Sequence, residues 1–139
     1  MDRFIEKAFG MQKGDIEWAK SQRDRYPLAE EVDGRGDAAS HLALGWISSR
    51  SQNPKASLKA ANLREYVTGL ASYSRKMDIS NNNLGSKIKA KTFEEAEKEI
   101  DRLIKSGEAK YYTPSESDKL FAEAYGIIPR KRKSRPLID

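Results

Sequence analysis

Three groups of residues have the types and spacing that chemistry needs. Asp37 and His41 stand four positions apart. On a helix that spacing puts both on one face, where a carboxylate can orient an imidazole and stabilise its charge. A histidine held this way can serve as a general base or as a metal ligand. The plainer reading is a structural histidine near a helix start, with Asp37 only capping, and a short motif does not decide between the two. The second group is Met77-Asp78-x-x-Asn81-Asn82-x-x-Gly85, in which Asp78 and Asn82 are again four apart. Polar residues in mid-domain either face solvent or form a buried network in which every group must find a partner. The third candidate is Glu65, which lies between Leu63 and Val67. Its carboxylate could flank the core, or it could be a surface charge, the commoner case.

Helices are the elements that must position these groups. Phe4, Ile5, Ala8 and Phe9 share a face before Gly10 interrupts, and Asp15 to Arg25 reads as a second helix ended by Tyr26-Pro27. Asp33-Gly34-Arg35-Gly36 is a turn, after which Asp37 suits a helix N-cap or first turn because its carboxylate accepts orphan N–H groups. That helix carries Ala38, Leu42, Gly45 and Trp46 along one side to about Ser49. Beyond Gln52-Asn53-Pro54, the residues Ala56, Ala60, Leu63, Val67 and Leu70 alternate spacings of four and three, which predicts a buried stripe. Lys76 to Lys89 is less regular, with Ile79, Leu84 and Ile88 helical in spacing but Asn81-Asn82-Asn83 poor in propensity. Thr92-Phe93-Glu94-Glu95 is a capping-box start, followed by Phe93, Ala96, Ile100, Leu103 and Ile104 as a core face and Gly107 as the stop. Thr113-Pro114-Ser115-Glu116 repeats that start, with Leu120, Phe121 and Ala124 apolar and Gly126 at the end. Only Tyr111-Tyr112 has strand character, too short for a sheet. The expected fold is all-α: a compact single domain over residues 1–126, of about five to seven short helices, with a basic C-terminal arm at 127–139.

Composition narrows the chemistry further. The chain has 139 residues, 37% of them hydrophobic and 34% charged, which fits one domain with a modest core and a well-solvated surface. It contains no cysteine, which excludes disulfides, zinc fingers, iron–sulfur clusters and thiol nucleophiles. A single histidine excludes any site that needs two. Charges interrupt every long apolar stretch, so no membrane span is expected, and Met1 to Lys7 has no apolar leader core. The net charge of +5 is uneven, because Arg130, Lys131, Arg132, Lys133 and Arg135 stand against only Asp139 in the arm. The body is therefore nearly neutral.

In order, Gly36-Asp37-Ala38-Ala39-Ser40-His41-Leu42 with Trp46, then Glu65, then Met77-Asp78-Ile79-Ser80-Asn81-Asn82-Asn83-Leu84-Gly85 resembles a small helical domain of bacteriophage and bacterial proteins. Its pattern is roughly G-D-A-x-R-H-A-x-W, an acidic residue, then M-D-x-x-N-N-x-x-G. The likeness spans about residues 33 to 90, and Ser40 departs from it where the pattern usually has arginine. The whole chain also resembles small proteins of T7-like podoviruses. The resemblance implies a polar cluster of Asp37, His41, Glu65, Asp78 and Asn81 or Asn82, and a phage setting; it supplies no biochemical activity.

Three functions follow as expectations. The first is a virion-associated structural protein, made in the host cytoplasm and assembled into the tail or internal core in multiple copies. Its polar cluster would then be a network that fixes the fold. It would dock on other virion proteins, with Arg130, Lys131, Arg132, Lys133 and Arg135 on an acidic partner or on DNA, and Leu137-Ile138 favouring docking over plain solvation. The second is a small hydrolase of the cell envelope or nucleic acid. There His41, oriented by Asp37, is the acid–base group, Glu65 or Asp78 is the second such group or a metal ligand, and Asn82 positions substrate. Those side chains could hold magnesium or manganese rather than a structural zinc, although no cofactor or metal is assigned from the sequence. The third is a DNA-binding accessory protein that uses the arm, whose five cations would give strongly salt-dependent affinity. Open or sealed placement of His41, Glu65 and Asp78 separates the second function from the first.

Overall fold

A computed structural model describes residues 1–68 and 70–126; the arm, with Arg130 to Arg135, lies outside the described residues. The fold is all-α. Its helices are α1 (Asp2–Phe9), α2 (Asp15–Ser21), α3 (Arg35–Ser49), α4 (Pro54–Val67), α5 (Ser72–Gly85), α6 (Phe93–Ser106) and α7 (Pro114–Tyr125). Two 3-10 turns, Gln22–Arg25 and Leu28–Glu30, link α2 to α3. Among the described residues there is no strand, and no helix is long and apolar enough to cross a membrane.

The expected punctuation is present, except that the capping box at Thr92 is half formed, because the Glu95 carboxylate accepts the Lys91 N–H instead of that of Thr92. Gly10 and Gly107 close α1 and α6 in the left-handed conformation. The Thr92 hydroxyl accepts from Glu95 N, and Thr113 and Glu116 form a reciprocal capping box. Helix α3 begins two residues before Asp37, so Asp37 occupies the first turn and its Oδ2 accepts the Asp33 N–H at 3.0 Å.

Helix α3 is the axis of the fold, and α2, the Gln22–Arg25 turn, α4, α5 and α6 pack around it. One side is apolar. Leu42, Trp46 and Ile47 join Ile16, Ala19, Ile100, Leu103 and Ile104 in the core. Trp18 stacks on Phe93 at 4.5 Å and meets Trp46 edge-on at 5.3 Å. Phe93, expected in the core, is partly exposed as the outer ring of this stack.

The other side of α3 faces α5 at very short range. A Cβ built on Gly45 would lie 2.1 Å from the Asn82 carbonyl oxygen, and one on Gly85 would lie 2.0 Å from that of Leu42. Only glycine fits either position, and the close crossing brings the side chains of α5 against those of α3. The less regular segment at 76–89 thus belongs to a helix that starts earlier, at Ser72, and stops at Gly85.

Two expected core faces are corrected. In α4 the buried residues are Ser57, Ala61 and Glu65, whereas Leu63 is 54% exposed, Val67 82% exposed, and Leu70 beyond the helix is exposed as well. Periodicity found the apolar stripe of α4, but packing turned the stripe of Ser57, Ala61 and Glu65 inward, where α4 lies against α3 and α5. In α7 the buried residues are Ser117 and Ala122; Phe121 and Ala124 are exposed.

Candidate functional site

The turn before α3 supplies the first residue of the site, one that sequence reading takes only as a turn. Asp33 has φ 58°, a left-handed conformation that aspartate tolerates better than most residues. It is buried and accepts from Ser74 of α5 at 2.8 Å and from Ser117 of α7 at 3.4 Å. Its carbonyl also accepts Tyr112 N at 2.7 Å, so one residue ties α3, α5, α7 and the Tyr111–Tyr112 segment together. Burial, with the nearby Asp37 charge adding to it, raises the Asp33 pKa above the usual carboxylate range.

One turn into α3, Asp37 Oδ1 lies 3.5 Å from His41 Nε2, as four-residue spacing requires. Across the glycine crossing, Asp78 Oδ1 lies 3.4 Å from the same nitrogen. Asn82 Oδ1 meets the other ring nitrogen, His41 Nδ1, at 2.8 Å. The Asn82 amide N–H is already spent on Asn62 Oδ1 of α4 at 3.1 Å, so its Oδ1 faces the ring and Nδ1 is the donor. That fixes the imidazole plane and directs Nε2 at the two carboxylates.

Glu65 completes the group from α4, hydrogen-bonded to Asp78. The Asp78 pKa is pushed up to about 9, first by burial and then by the charges of Asp37 and Glu65. Burial favours the neutral acid, and two neighbouring carboxylates add repulsion against its ionised form. A cation reaches the cluster from the Gln22–Arg25 turn, where Arg23 Nη2 stands 3.4 Å from Asp37 Oδ1. Ser40, at the place where the resembled pattern carries arginine, donates to Asp37 O of its own helix at 2.9 Å. The guanidinium beside Asp37 thus comes from a different element.

All five residues singled out in the body, Asp37, His41, Glu65, Asp78 and Asn82, meet in one place. All but Asn82 line a cleft of about 470 Å³ that opens to solvent between α4 and the α2–α3 connection. Asn81 points away from them, and its side chain exchanges two hydrogen bonds with the Lys110 backbone, at 2.7 and 2.9 Å. It acts as a strand partner would for the segment before α7, outside the cluster.

Asp33 and Arg23 are the site residues that sequence reading missed. Asp33 gave one usable signal, an acidic residue directly before a glycine at a helix start. Arg23 gave none, because it approaches from a separate turn. The cluster combines an oriented imidazole, a buried acid kept protonated into the alkaline range and a second carboxyl beside it, which is equipment for proton transfer. No family model, curated protein or solved structure matches the chain, so its chemistry rests on this geometry.

Proposed function

We propose that this chain is a virion-associated structural protein of a T7-like podovirus, a tail or internal-core component that docks on neighbouring virion proteins. The observation that carries this reading is the outward face of α4, where Leu63, Tyr66 and Val67 are exposed at helical spacing. Contiguous exposed apolar patches mark contact surfaces for other molecules, and the occupant in this reading is a neighbouring virion protein. The sequence resemblance supports the phage setting. The basic arm at 127–139 supplies a second point of attachment, to an acidic partner or to DNA.

The test is a protein inventory of purified particles. The chain is expected at fixed stoichiometry, and Leu63→Asp with Val67→Asp should lower its incorporation without unfolding it. Clean particles that lack the chain overturn the reading. Removal of residues 129–139 should weaken attachment; if DNA binding alone disappears, the DNA-binding accessory role takes its place.

A second reading has its own observation. His41, Glu65 and Asp78 meet at an open cleft, the arrangement that favours a hydrolase of envelope or nucleic-acid polymers over a sealed network. In that reading His41 transfers the proton, Asp37 and Asn82 orient it, and Asp78 or Glu65 is the second acid–base group. His41→Ala should then abolish hydrolysis while the chain stays folded; unfolding of that variant favours the structural network.

A further inference from the structure

Three electron-rich side-chain atoms converge in the cleft. His41 Nδ1 is committed to Asn82, so Nε2 points at Asp78 Oδ1 and Asp37 Oδ1, 3.4 and 3.5 Å away. Asp78 is only 3% exposed, and its Oδ1 makes no hydrogen bond. A buried carboxyl oxygen that accepts no hydrogen bond is rare in a fold unless something else meets it. One ligand atom from each of Asp37, His41 and Asp78 can be chosen so that all three lie within 4.8 Å of one another.

We propose that Asp37, His41 and Asp78 are the protein ligands of a divalent transition-metal ion, of the zinc or manganese class, whose remaining coordination positions open into the cleft. Three observations support this beyond the presence of acidic groups. Ligand atoms about 2.1 Å from a tetrahedral ion stand about 3.4 Å apart, which is the spacing around Nε2. Asn82 holds the far side of the imidazole, as the outer partner of a metal-bound histidine does. Asp37 is held through its other oxygen by the Asp33 N–H, which leaves Oδ1 directed at the cluster. Arg23 also approaches Asp37 Oδ1, from a half-exposed position on the Gln22–Arg25 turn, so an ion shares that oxygen with it or displaces it outward.

The imidazole selects against magnesium and calcium, which prefer all-oxygen shells. Three protein ligands with open positions describe a site that binds an exchangeable water or a substrate oxygen, unlike a closed structural site. The inference is independent of docking through α4 and deepens the hydrolase reading.

The experiment is a titration of the full chain, stripped with chelator, with ZnCl2, MnCl2 and MgCl2 in turn. It is read by calorimetry, by the manganese electron-spin signal and by the histidine ring resonances. One zinc or manganese ion per chain is expected, with a shift of the His41 Nε2 resonance and a rise in Tm. Asp78→Asn keeps the size of the side chain and should remove binding, and His41→Gln should do the same. Asn82→Ala, which leaves all three ligands in place and frees the imidazole, should weaken affinity about 10- to 100-fold. A folded chain that binds no ion at millimolar metal overturns the inference, and Nε2 is then simply the acid partner of the two carboxylates. Binding unchanged in both ligand variants overturns it as well, because the ion then sits elsewhere. Bound metal without any hydrolysis would overturn the hydrolase reading alone, and hydrolysis by a chain that binds no ion would overturn this inference alone.

Discussion

The two sides of α3 are built on opposite principles. Toward α2 and α6 the helix presents Leu42, Trp46 and Ile47 to an apolar, aromatic core, and its contacts there are non-directional. Toward α5 it presents glycine against backbone and places Asp37 and His41 opposite Asp78 and Asn82. The first side stabilises by removing apolar area from water and tolerates any side chain of similar volume. The second depends on registry: a shift of one residue along α5 would take Asn82 away from His41. A small domain can keep such a polar face only if the apolar face supplies most of its stability.

The largest expected effect comes from breaking the apolar side. Trp46→Ala should destabilise by about 4 kcal/mol in urea unfolding, since it empties the centre of the Trp18–Trp46–Phe93 cluster. The loss should be the same at pH 5 and pH 8. On the polar side, Gly85→Ala should cost about 3 kcal/mol, because the new Cβ meets the Leu42 backbone oxygen and the two helices must part. Unlike Trp46→Ala, it should also uncouple His41 from Asp78 and Asn82, visible as a change in the histidine ring resonances. A smaller loss in Gly85→Ala confined to stability would show that the registry of the two helices does not depend on the glycine contact.

The pH dependence separates the sides further. In the folded chain Asp78 holds its proton up to about pH 9, whereas an unfolded aspartate loses it near 3.8. The folded state therefore binds the extra proton between those values. This stabilisation is complete below about pH 4 and is lost as pH rises toward 9. With chelator present, stability should fall across that window, and Asp78→Asn should flatten the fall. A flat profile in the unaltered chain would mean that Asp78 is ionised and paired.

Asn81→Ala should cost about 2 kcal/mol, since it strands both polar groups of the Lys110 backbone, while leaving the His41 resonances in place. Val67→Asp is the smallest effect: on a residue 82% exposed it should change stability by no more than about 0.5 kcal/mol and act only on docking.

Legibility in the sequence followed the same division. The caps at Thr92, Thr113, Gly10 and Gly107, the inward line of α3 and the four-residue spacing of Asp37 and His41 are local, and each stands where spacing and residue type placed it. The face of α4 could not be found that way. Leu63 and Val67 make the stronger apolar stripe, yet Ser57, Ala61 and Glu65 are the residues that fit between α3 and α5. Choosing between two stripes on one helix requires the shape of the neighbours. The polar cluster was half legible: the spacings and the resemblance pointed to Asp37, His41, Glu65, Asp78 and Asn82, whereas Asp33 and Arg23 enter through turns that carry no periodic signal.

By itself, then, the sequence determined an all-helical body, its caps and breaks, the absence of thiol chemistry and the placement of nearly all its net charge in the terminal segment. These are properties of single residues and of neighbours within one helical turn. Tertiary structure alone decided that α3 and α5 cross at backbone contact, that α4 turns Ser57, Ala61 and Glu65 inward, and that carboxyls from α3 and α5 share one histidine while Glu65 of α4 meets Asp78. Those outcomes depend on contacts between residues tens of positions apart, where steric fit between helices outweighs the preferences of each helix alone.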